Sequence, residues 1–146
     1  ASDTLALHDR ESLSEIKATR IAAGQAYGQA GITPPQVNVA EVHDCFTIAE
    51  IMAVEGLGFF PKGKGGQATL DGETMIGGKV AVNTSGGLKA CGHPVGATGV
   101  KQVVEVCWQL RGKAEGRQVE NAEYGLTHNV GGSGATCVVH IFKKAK

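Results

Sequence analysis

The 146-residue sequence predicts one domain of the α/β class, because segments with helical periodicity alternate with short apolar segments typical of strands. Hydrophobic residues make up 42% of the chain and charged residues 19%, which is the composition of a globular domain with a buried core. No linker or internal repeat divides the sequence, so residues 1–146 are predicted to fold together.

The first predicted helix runs from about residue 13 to residue 30. Ser12 and Glu15 have the spacing of a capping box, and apolar residues then recur at helical intervals. Gly31 is a suitable residue to end this helix.

A strand is predicted over Val37 to Val42, and it leads directly into His43-Asp44-Cys45-Phe46. The next four residues, Thr47-Ile48-Ala49-Glu50, resemble a second capping box and predict a helix that ends at Gly56 or Gly58. The histidine and the cysteine therefore lie in a strand-to-helix turn. Ligands of open α/β sheets bind beyond the carboxyl ends of the strands, so this turn is a candidate site.

Residues 59–78 have no clear periodicity and predict an exposed loop. The run Lys62-Gly63-Lys64-Gly65-Gly66 does not match a phosphate-binding loop, because no strand leads into it and no helix is predicted after it. Further strands are predicted at Val80–Val82, around Tyr124 to Asn129 and around Thr136 to Phe142.

Between Leu88 and Gly99, the sequence places His93 between a glycine and Pro94. Proline suits the first turn of a helix, so His93 is predicted to lie just outside a helix N-terminus, where the dipole favours a neutral imidazole. The plainer interpretation is a tight helix entry with a half-exposed histidine. The predicted helix carries an apolar stripe formed by Val100, Val103, Val104, Cys107 and Leu110.

Composition excludes several classes of function. Lys and Arg number 14 and balance 14 Asp and Glu, so no nucleic-acid or membrane-surface binding is predicted. There is no leader and no apolar run long enough to span a bilayer, and the four cysteines are therefore expected to be reduced thiols in the cytoplasm. The 22 glycines cluster in turns, which is typical of backbone brought close to another group.

Four turn segments, at residues 43–46, 83–87, 91–94 and 128–134, carry the reactive or glycine-rich residues. If the strands bring them to one sheet edge, the site suits carbon–carbon chemistry beside a carbonyl, which requires an acid, a base and donors to an oxyanion.

Within these turns, Cys45 is the candidate acid/base, because a helix N-terminus stabilises a thiolate. His43 and His93 are candidates to donate to an oxyanion or to activate a nucleophile, and backbone N–H groups near Gly131 form a candidate oxyanion pocket. Cys45 is equally well explained as a small buried apolar residue. His128 has two interpretations, a catalytic group or a histidine hydrogen-bonded to backbone.

The other cysteines and histidines are predicted to be incidental, except that the exposure of Cys91 is left open. Cys107 and Cys137 are expected in the core, and His8 and His140 outside any site. Zinc ligation by His43-x-Cys45 with Cys91-x-His93 is disfavoured, because structural zinc sites usually separate paired ligands by two to four residues.

Three motifs, His43-Asp44-Cys45-Phe46, Gly92-His93-Pro94 and His128-Asn129-Val130-Gly131-Gly132, together resemble the C-terminal half of a thiolase. The similarity is greatest to the sterol-carrier-protein-X type and its archaeal and bacterial relatives, and it extends from about Ala1 to Phe142. It implies a mixed sheet with helices on both faces, packed against a similar N-terminal half.

The resemblance also implies acyl transfer between coenzyme A thioesters, with no bound cofactor. His93 falls on the histidine that activates the nucleophilic cysteine, and His43 replaces the asparagine of the common thiolase motif. Cys45 falls on the cysteine thought to act as acid/base in this type, because the late Cys-x-Gly motif is absent. Asn129, Gly131 and His128 are the expected oxyanion and substrate-binding residues, and no metal ligand is expected.

The nucleophilic Cys-x-Ser motif of thiolases does not occur in these residues, so the chain alone is expected to be inactive. A homo-oligomer is expected. One alternative is a thiolase-related retro-aldolase subunit that acts with a zinc-bearing partner protein. The other is a non-catalytic assembly or zinc-binding module.

Overall fold

A computed structural model describes residues 1–145, so Lys146 lies outside the described part of the predicted domain. The helices are α1 (Lys17–Ala30), α2 (Thr47–Gly56), α3 (Gly65–Leu70), α4 (Gly87–Cys91) and α5 (Thr98–Leu110). The strands are β1 (Val39–Glu41), β2 (Ala81–Val82), β3 (Tyr124–Gly131) and β4 (Thr136–Lys143). No helix within this part of the chain is long and apolar enough to cross a membrane.

The strands form one sheet in the order β2-β1-β3-β4. β1 is parallel to both β2 and β3, whereas β3 and β4 form an antiparallel hairpin. The sheet is therefore mixed, as the sequence predicted.

Helices cover both faces of this sheet, as the alternation of side chains along β3 shows. A Cβ atom at Gly125 would meet Val106 and Leu110 of α5. His128, whose side chain points to the opposite face, contacts Thr19 of α1. The prediction of an α/β domain with two covered faces is confirmed.

The main core lies between the sheet and α1 with α2, where apolar residues of all these elements pack together: Ala23, Tyr27, Val42, Val54, Leu57 and Leu126. A smaller apolar cluster packs under the C-terminal end of α5: Val106, Leu110 and Ala122.

The first helix begins at Lys17 rather than near residue 13. No capping box forms, because the Ser12 hydroxyl accepts a hydrogen bond from the Ser14 amide at 3.2 Å and holds residues 12–14 in a separate turn. The predicted end is correct, since Gly31 adopts the left-handed conformation with φ of 66°.

The second capping box is also absent, although α2 begins at Thr47 and ends at Gly56 as predicted. The Glu50 carboxylate accepts a hydrogen bond from Asn83 Nδ2 at 2.7 Å and so faces the neighbouring strand end. The contact with Asn83 therefore replaces the capping role that the local sequence predicts for Glu50.

The segment predicted as an exposed loop contains α3, so the prediction that no helix follows the Lys62–Gly66 run is wrong. The reason lies in α2, because Glu55 Oε1 accepts a hydrogen bond from the Gly65 amide at 2.8 Å and stabilises the start of the helix. Ala68 on its inner side is buried in the main core.

The predicted apolar stripe of α5 is only partly buried. Leu110 packs in the smaller core cluster, whereas Val100 is 65% exposed and Val104 39%. Trp108, which is not part of that stripe, is 44% exposed. The inner face buries two apolar and four polar side chains, namely Val106, Leu110, Thr98, Gln102, Glu105 and Gln109. The helix also begins at Thr98 rather than Pro94, because a turn over residues 94–97 precedes it.

Candidate active site

The loop after β1 is held by side chains instead of a strand partner. β1 stops at Glu41, and the next two amides bond to side chains from other elements. The Val42 amide donates to Asn83 Oδ1 at 2.8 Å, and the His43 amide donates to His128 Nδ1 at 3.4 Å. These bonds direct the chain out of the sheet and place the His43 side chain above its edge.

His43 has a defined tautomer. Its Nδ1 lies 2.7 Å from Asn129 Oδ1 on β3, and because an amide oxygen only accepts, the imidazole donates from Nδ1 and keeps a lone pair on Nε2. Burial lowers the pKa of His43 below its ordinary value, opposed by the bond to Asn129, and the nearby His93 lowers the pKa further. The ring is therefore neutral at pH 7.

His93 is anchored in the same way from a different element. Its Nδ1 lies 2.6 Å from the hydroxyl of Thr98, the first residue of α5, and that hydroxyl also lies 3.3 Å from the Pro94 carbonyl oxygen. The hydroxyl has one proton, and since the carbonyl can only accept it, Nδ1 of His93 donates to Thr98. The Nε2 atom of this exposed ring also keeps its lone pair.

The two imidazoles meet edge to face, with ring centroids 4.8 Å apart and an angle of 88° between the ring planes. Two positive charges at this distance would repel each other, so protonation of one ring disfavours protonation of the other. The proximity of His93 is therefore one of the causes that lower the pKa of His43.

Asp44 joins the two histidine-bearing loops. Its Oδ1 accepts a hydrogen bond from the Leu88 amide at 2.7 Å, at the start of α4. A Cβ atom at Gly87 would collide with the Asp44 carboxylate, so glycine is required there, and its φ of 64° adds to that requirement. Lys89 Nζ also donates to the Cys45 carbonyl at 3.0 Å. The position of His93 is thus tied to that of His43.

A hollow of about 680 Å³ opens between these loops and the sheet face that carries Asn129. It is lined by His43, Cys45, His93, Asn129, Gly131 and Gly132 among others. Three of the turns singled out in the sequence, at residues 43–46, 91–94 and 128–134, therefore contribute to one cavity.

Glycine at position 99 makes the contact between α5 and Asn129 possible. A Cβ atom at Gly99 would lie 2.7 Å from Asn129 Nδ2, which is closer than any ordinary packing contact. Asn129, Gly99 and His43 consequently form one closely fitted unit.

A profile of the family "Thiolase C-terminal domain-like" matches residues 1–144 of this chain. The chain belongs to the thiolase C-terminal domain family. This confirms the resemblance found in the sequence motifs.

Two archaeal proteins named acetyl-CoA acetyltransferase are similar to this thiolase C-terminal domain. The one from Methanothermobacter thermautotrophicus is 58% identical over 144 residues, which cover 99% of this chain and 38% of that protein. The one from Methanocaldococcus jannaschii is 51% identical over 146 residues, covering 97% of this chain and 37% of that protein.

Sterol carrier protein 2 of Oryctolagus cuniculus is 48% identical over 122 residues, covering 84% of this chain and 22% of that protein. Among solved structures, the "Ltp2-ChsH2(DUF35) aldolase" is similar with a TM-score of 0.82 and 26% identity, covering 95% of this chain and 35% of that one. The thiolase C-terminal domain thus spans well under half the length of each of these relatives.

His128 does not reach the hollow in this thiolase C-terminal domain. Its side chain is 0% exposed and faces α1, where Nε2 lies 2.9 Å from the Thr19 hydroxyl, while Nδ1 accepts the His43 amide. Burial, with a smaller contribution from His43, lowers its pKa to about 3. Of its two interpretations, the structure supports the internally bonded one, so a direct contact with substrate is not supported.

Gly131 lies on the rim, but its amide is directed into the hairpin. The N–H and C=O groups of Cys137 both bond to Ala1, on the side of β4 that faces away from β3. Val130 and Cys137 are therefore opposite each other without hydrogen bonds between them. In the next pair of the hairpin, Gly131 and Thr136, the peptide groups point toward each other. The amide of Gly132, where φ is 60°, is the first beyond the ladder.

Several lining residues were missed by the sequence analysis, namely Thr136, Val138, His140, Thr127 and Gln102. His140 was judged incidental, yet it lies opposite Thr127 in the hairpin register. The period of two along β4 could have indicated this, because positions 136, 138 and 140 share the face of Asn129.

The remaining cysteines lie outside this hollow. Cys91 is exposed with Sγ 3.3 Å from the Ser85 carbonyl oxygen, Cys107 is half-buried rather than in the core, and Cys137 is buried as predicted. Within residues 1–145, no group of three His, Cys, Asp or Glu side chains is arranged to hold a metal ion.

Proposed function

We propose that this domain forms the acid–base half of a thiolase active site, in a protein that transfers acyl groups between coenzyme A and acyl-CoA. The observation that carries the proposal is the pair of imidazoles, each anchored through Nδ1, whose Nε2 atoms are left for the same hollow as Cys45. The 58% identity to an acetyl-CoA acetyltransferase supports the same reaction class.

In the proposed thiolytic direction, the nucleophile is a cysteine thiol supplied from outside this domain. His93 Nε2 accepts the thiol proton, and the thiolate attacks the 3-keto carbon of the substrate. The protonated ring then carries an N–H that donates to the oxyanion formed on that carbon. The proton on His93 disfavours protonation of the neighbouring His43 ring. His43 Nε2 therefore remains an acceptor and holds a water or a substrate hydroxyl.

The second proton transfer, to the departing enolate, is assigned to Cys45. When the bond between the second and third carbons breaks, the Cys45 thiol protonates the departing acetyl-CoA enolate. The Cys45 thiolate then takes the proton of the incoming coenzyme A thiol, and the coenzyme A sulfur attacks the acyl-enzyme. The nucleophilic cysteine leaves as a thiolate and takes back its proton from His93 Nε2. The products are two acyl-CoA molecules, and both protein groups regain their starting protonation states.

The outer face of α5 supports a further part of the proposal, that another half of the protein packs there. Val100, Val104 and Trp108 form an exposed apolar surface on the outer face of this helix. Covering this surface would remove its apolar side chains from water, and an N-terminal half of similar fold is the proposed occupant. Homo-oligomerisation and a cytoplasmic location remain predictions.

The test uses the full-length protein, assayed with a 3-ketoacyl-CoA and coenzyme A. Cys45→Ala and His93→Ala are each expected to lower kcat by at least ~100-fold, because general acid–base groups contribute about 10²–10⁴ in rate. Cys91→Ala and His8→Ala are matched controls outside the hollow and should leave kcat unchanged. Near-normal kinetics in either site variant would contradict the assigned role.

A retro-aldolase is the second candidate, favoured by the similarity to a solved aldolase that includes a DUF35 component. In that case the pair of imidazoles would remove a hydroxyl proton from a 3-hydroxyacyl-CoA, and a zinc-bearing partner protein would be required. Cleavage of a 3-hydroxyacyl-CoA without added coenzyme A, together with no thiolysis, would favour this candidate. A Cys-x-Ser motif in the preceding half of the protein would favour the thiolase.

A further inference from the structure

Gln102 is a fully buried amide in the middle of α5, with a side chain that is 0% exposed. Its Nε2 donates to the His128 carbonyl oxygen at 3.0 Å. Its Oε1 has no hydrogen-bond partner, and it is the sole buried side-chain polar atom of this kind within residues 1–145. Turning the amide over would not help, because Oε1 would then face a carbonyl oxygen.

The geometry of the sheet explains why a side chain is needed at the His128 carbonyl. β1 and β3 pair only as far as Glu41 and Thr127, since β1 then leaves the sheet to deliver His43. Hydrogen-bonded and non-hydrogen-bonded pairs alternate along the hairpin, so His128 and Val139, like Val130 and Cys137, do not bond to each other. The His128 carbonyl therefore points away from β4, toward the side of β3 that β1 has left. Gln102 supplies the donor that the missing strand residue would have given.

The same peptide unit precedes Asn129, whose Oδ1 orients the His43 ring. The hydrogen bond from Gln102 to the His128 carbonyl therefore fixes the backbone that carries Asn129. Asn129 in turn fixes the tautomer and the orientation of the His43 ring in the hollow. Gln102 itself is one of the residues that line that hollow.

We propose that Gln102 is a positioning residue that holds Asn129 in place for His43. Its unpaired Oε1 is enclosed by protein atoms, so the amide is kept at this position at the cost of one unmade hydrogen bond. The effect on turnover rests on the proposed thiolase function, whereas the effect on His43 does not.

The first test is the isosteric variant Gln102→Glu in the full-length protein. Burial raises the pKa of the introduced carboxyl, and while it is protonated, its O–H donates to His128 and its C=O replaces Oε1. When the pH rises above that pKa, the donor is lost and a carboxylate faces the carbonyl oxygen. We expect kcat near the wild-type value at low pH, with an added fall at higher pH that the wild type lacks and with KM unchanged.

The second test compares Gln102→Met with Gln109→Met, a buried amide on the same helix that bonds to Thr84, Glu105 and Arg117 away from the hollow. Both variants are expected to lower Tm. Gln102→Met alone should lower kcat, by about 10- to 100-fold, the loss expected when a catalytic group is displaced by up to ~1 Å. Equal kcat in the two variants would overturn the positioning role.

A readout independent of the reaction is the titration of His43, followed by NMR of its ring in the full-length protein. Gln102→Met should shift the His43 midpoint, and Gln109→Met should not. If the wild type has no thiolase activity, this shift still decides the proposal. An unchanged His43 midpoint in Gln102→Met would overturn the proposal.

Discussion

The fit between α5 and the hairpin can be tested by adding a single methyl group, through Gly99→Ala. Position 99 is helical, so alanine is compatible with the backbone and raises helix propensity by up to ~1 kcal/mol. The new Cβ atom, however, would lie 2.7 Å from Asn129 Nδ2. The substitution therefore separates helix stability from the alignment of the site.

The size of the effect follows from two distances. Ordinary contacts of a Cβ atom begin near 3.4 Å, so the Asn129 amide must move by about 0.7 Å. A movement of that size along the bond to His43 would stretch the distance between Nδ1 and Oδ1 from 2.7 Å to roughly 3.4 Å, outside the usual hydrogen-bond range. Losing the bond costs ~1 kcal/mol of stability, which the helix propensity offsets.

We therefore expect Tm of the full-length protein to stay nearly constant while kcat falls by about 100-fold, the loss associated with a misplacement of ~1 Å. Calorimetry and thiolysis assays measure the two quantities. The matched control is Gly28→Ala in α1, where a Cβ atom would meet nothing within 4 Å, and this variant should raise Tm without changing kcat. A Gly99→Ala enzyme with kcat within twofold of the wild type would refute the reasoning.

Three more outcomes are expected. Burial lowers the pKa of His128 to about 3 from the 6.5 of an unfolded chain, so its contribution to stability is complete above pH 6.5 and is lost as the pH falls toward 3. Between pH 6.5 and pH 5 the free energy of unfolding should fall by roughly 2 kcal/mol through this residue. Calorimetry at both pH values should therefore show a smaller decrease in Tm for His128→Gln than for the wild type. Thr98→Val removes the acceptor that fixes His93, and kinetics should show kcat lowered by about tenfold with KM unchanged, whereas an unaltered kcat would argue against the anchoring role. Trp108→Glu on the outer face of α5 should lower Tm of the full-length protein, whereas Leu70→Glu on α3 should not, and equal Tm values would contradict a covered face.

The four strands could be predicted from the sequence because their signals are local. Short apolar segments indicated β3 and β4, and Gly31 marked the end of α1 through its left-handed conformation. The three motifs around His43, His93 and Asn129 also led to the correct family.

The errors share a physical cause, which is that local patterns do not reveal tertiary partners. Glu50 has the spacing of a capping residue, yet it bonds to Asn83 on a neighbouring element. The start of α3 depends on a carboxylate from α2, which no pattern near Gly65 could indicate. Successive side chains of a strand point to opposite faces, so His128 cannot share the face of its neighbour Asn129. This alternation could have indicated that His128 points away from the hollow.

The orientation of α5 has a practical consequence for anyone who produces this domain on its own. Exposed valines and a tryptophan on a helix are the usual targets when a recombinant protein is redesigned to be more soluble. On this helix such a redesign would modify the surface proposed to receive the rest of the protein, and leave untouched the inner face that carries Gln102. Solubility is better sought by co-expression with the proposed N-terminal half than by substitutions on this helix.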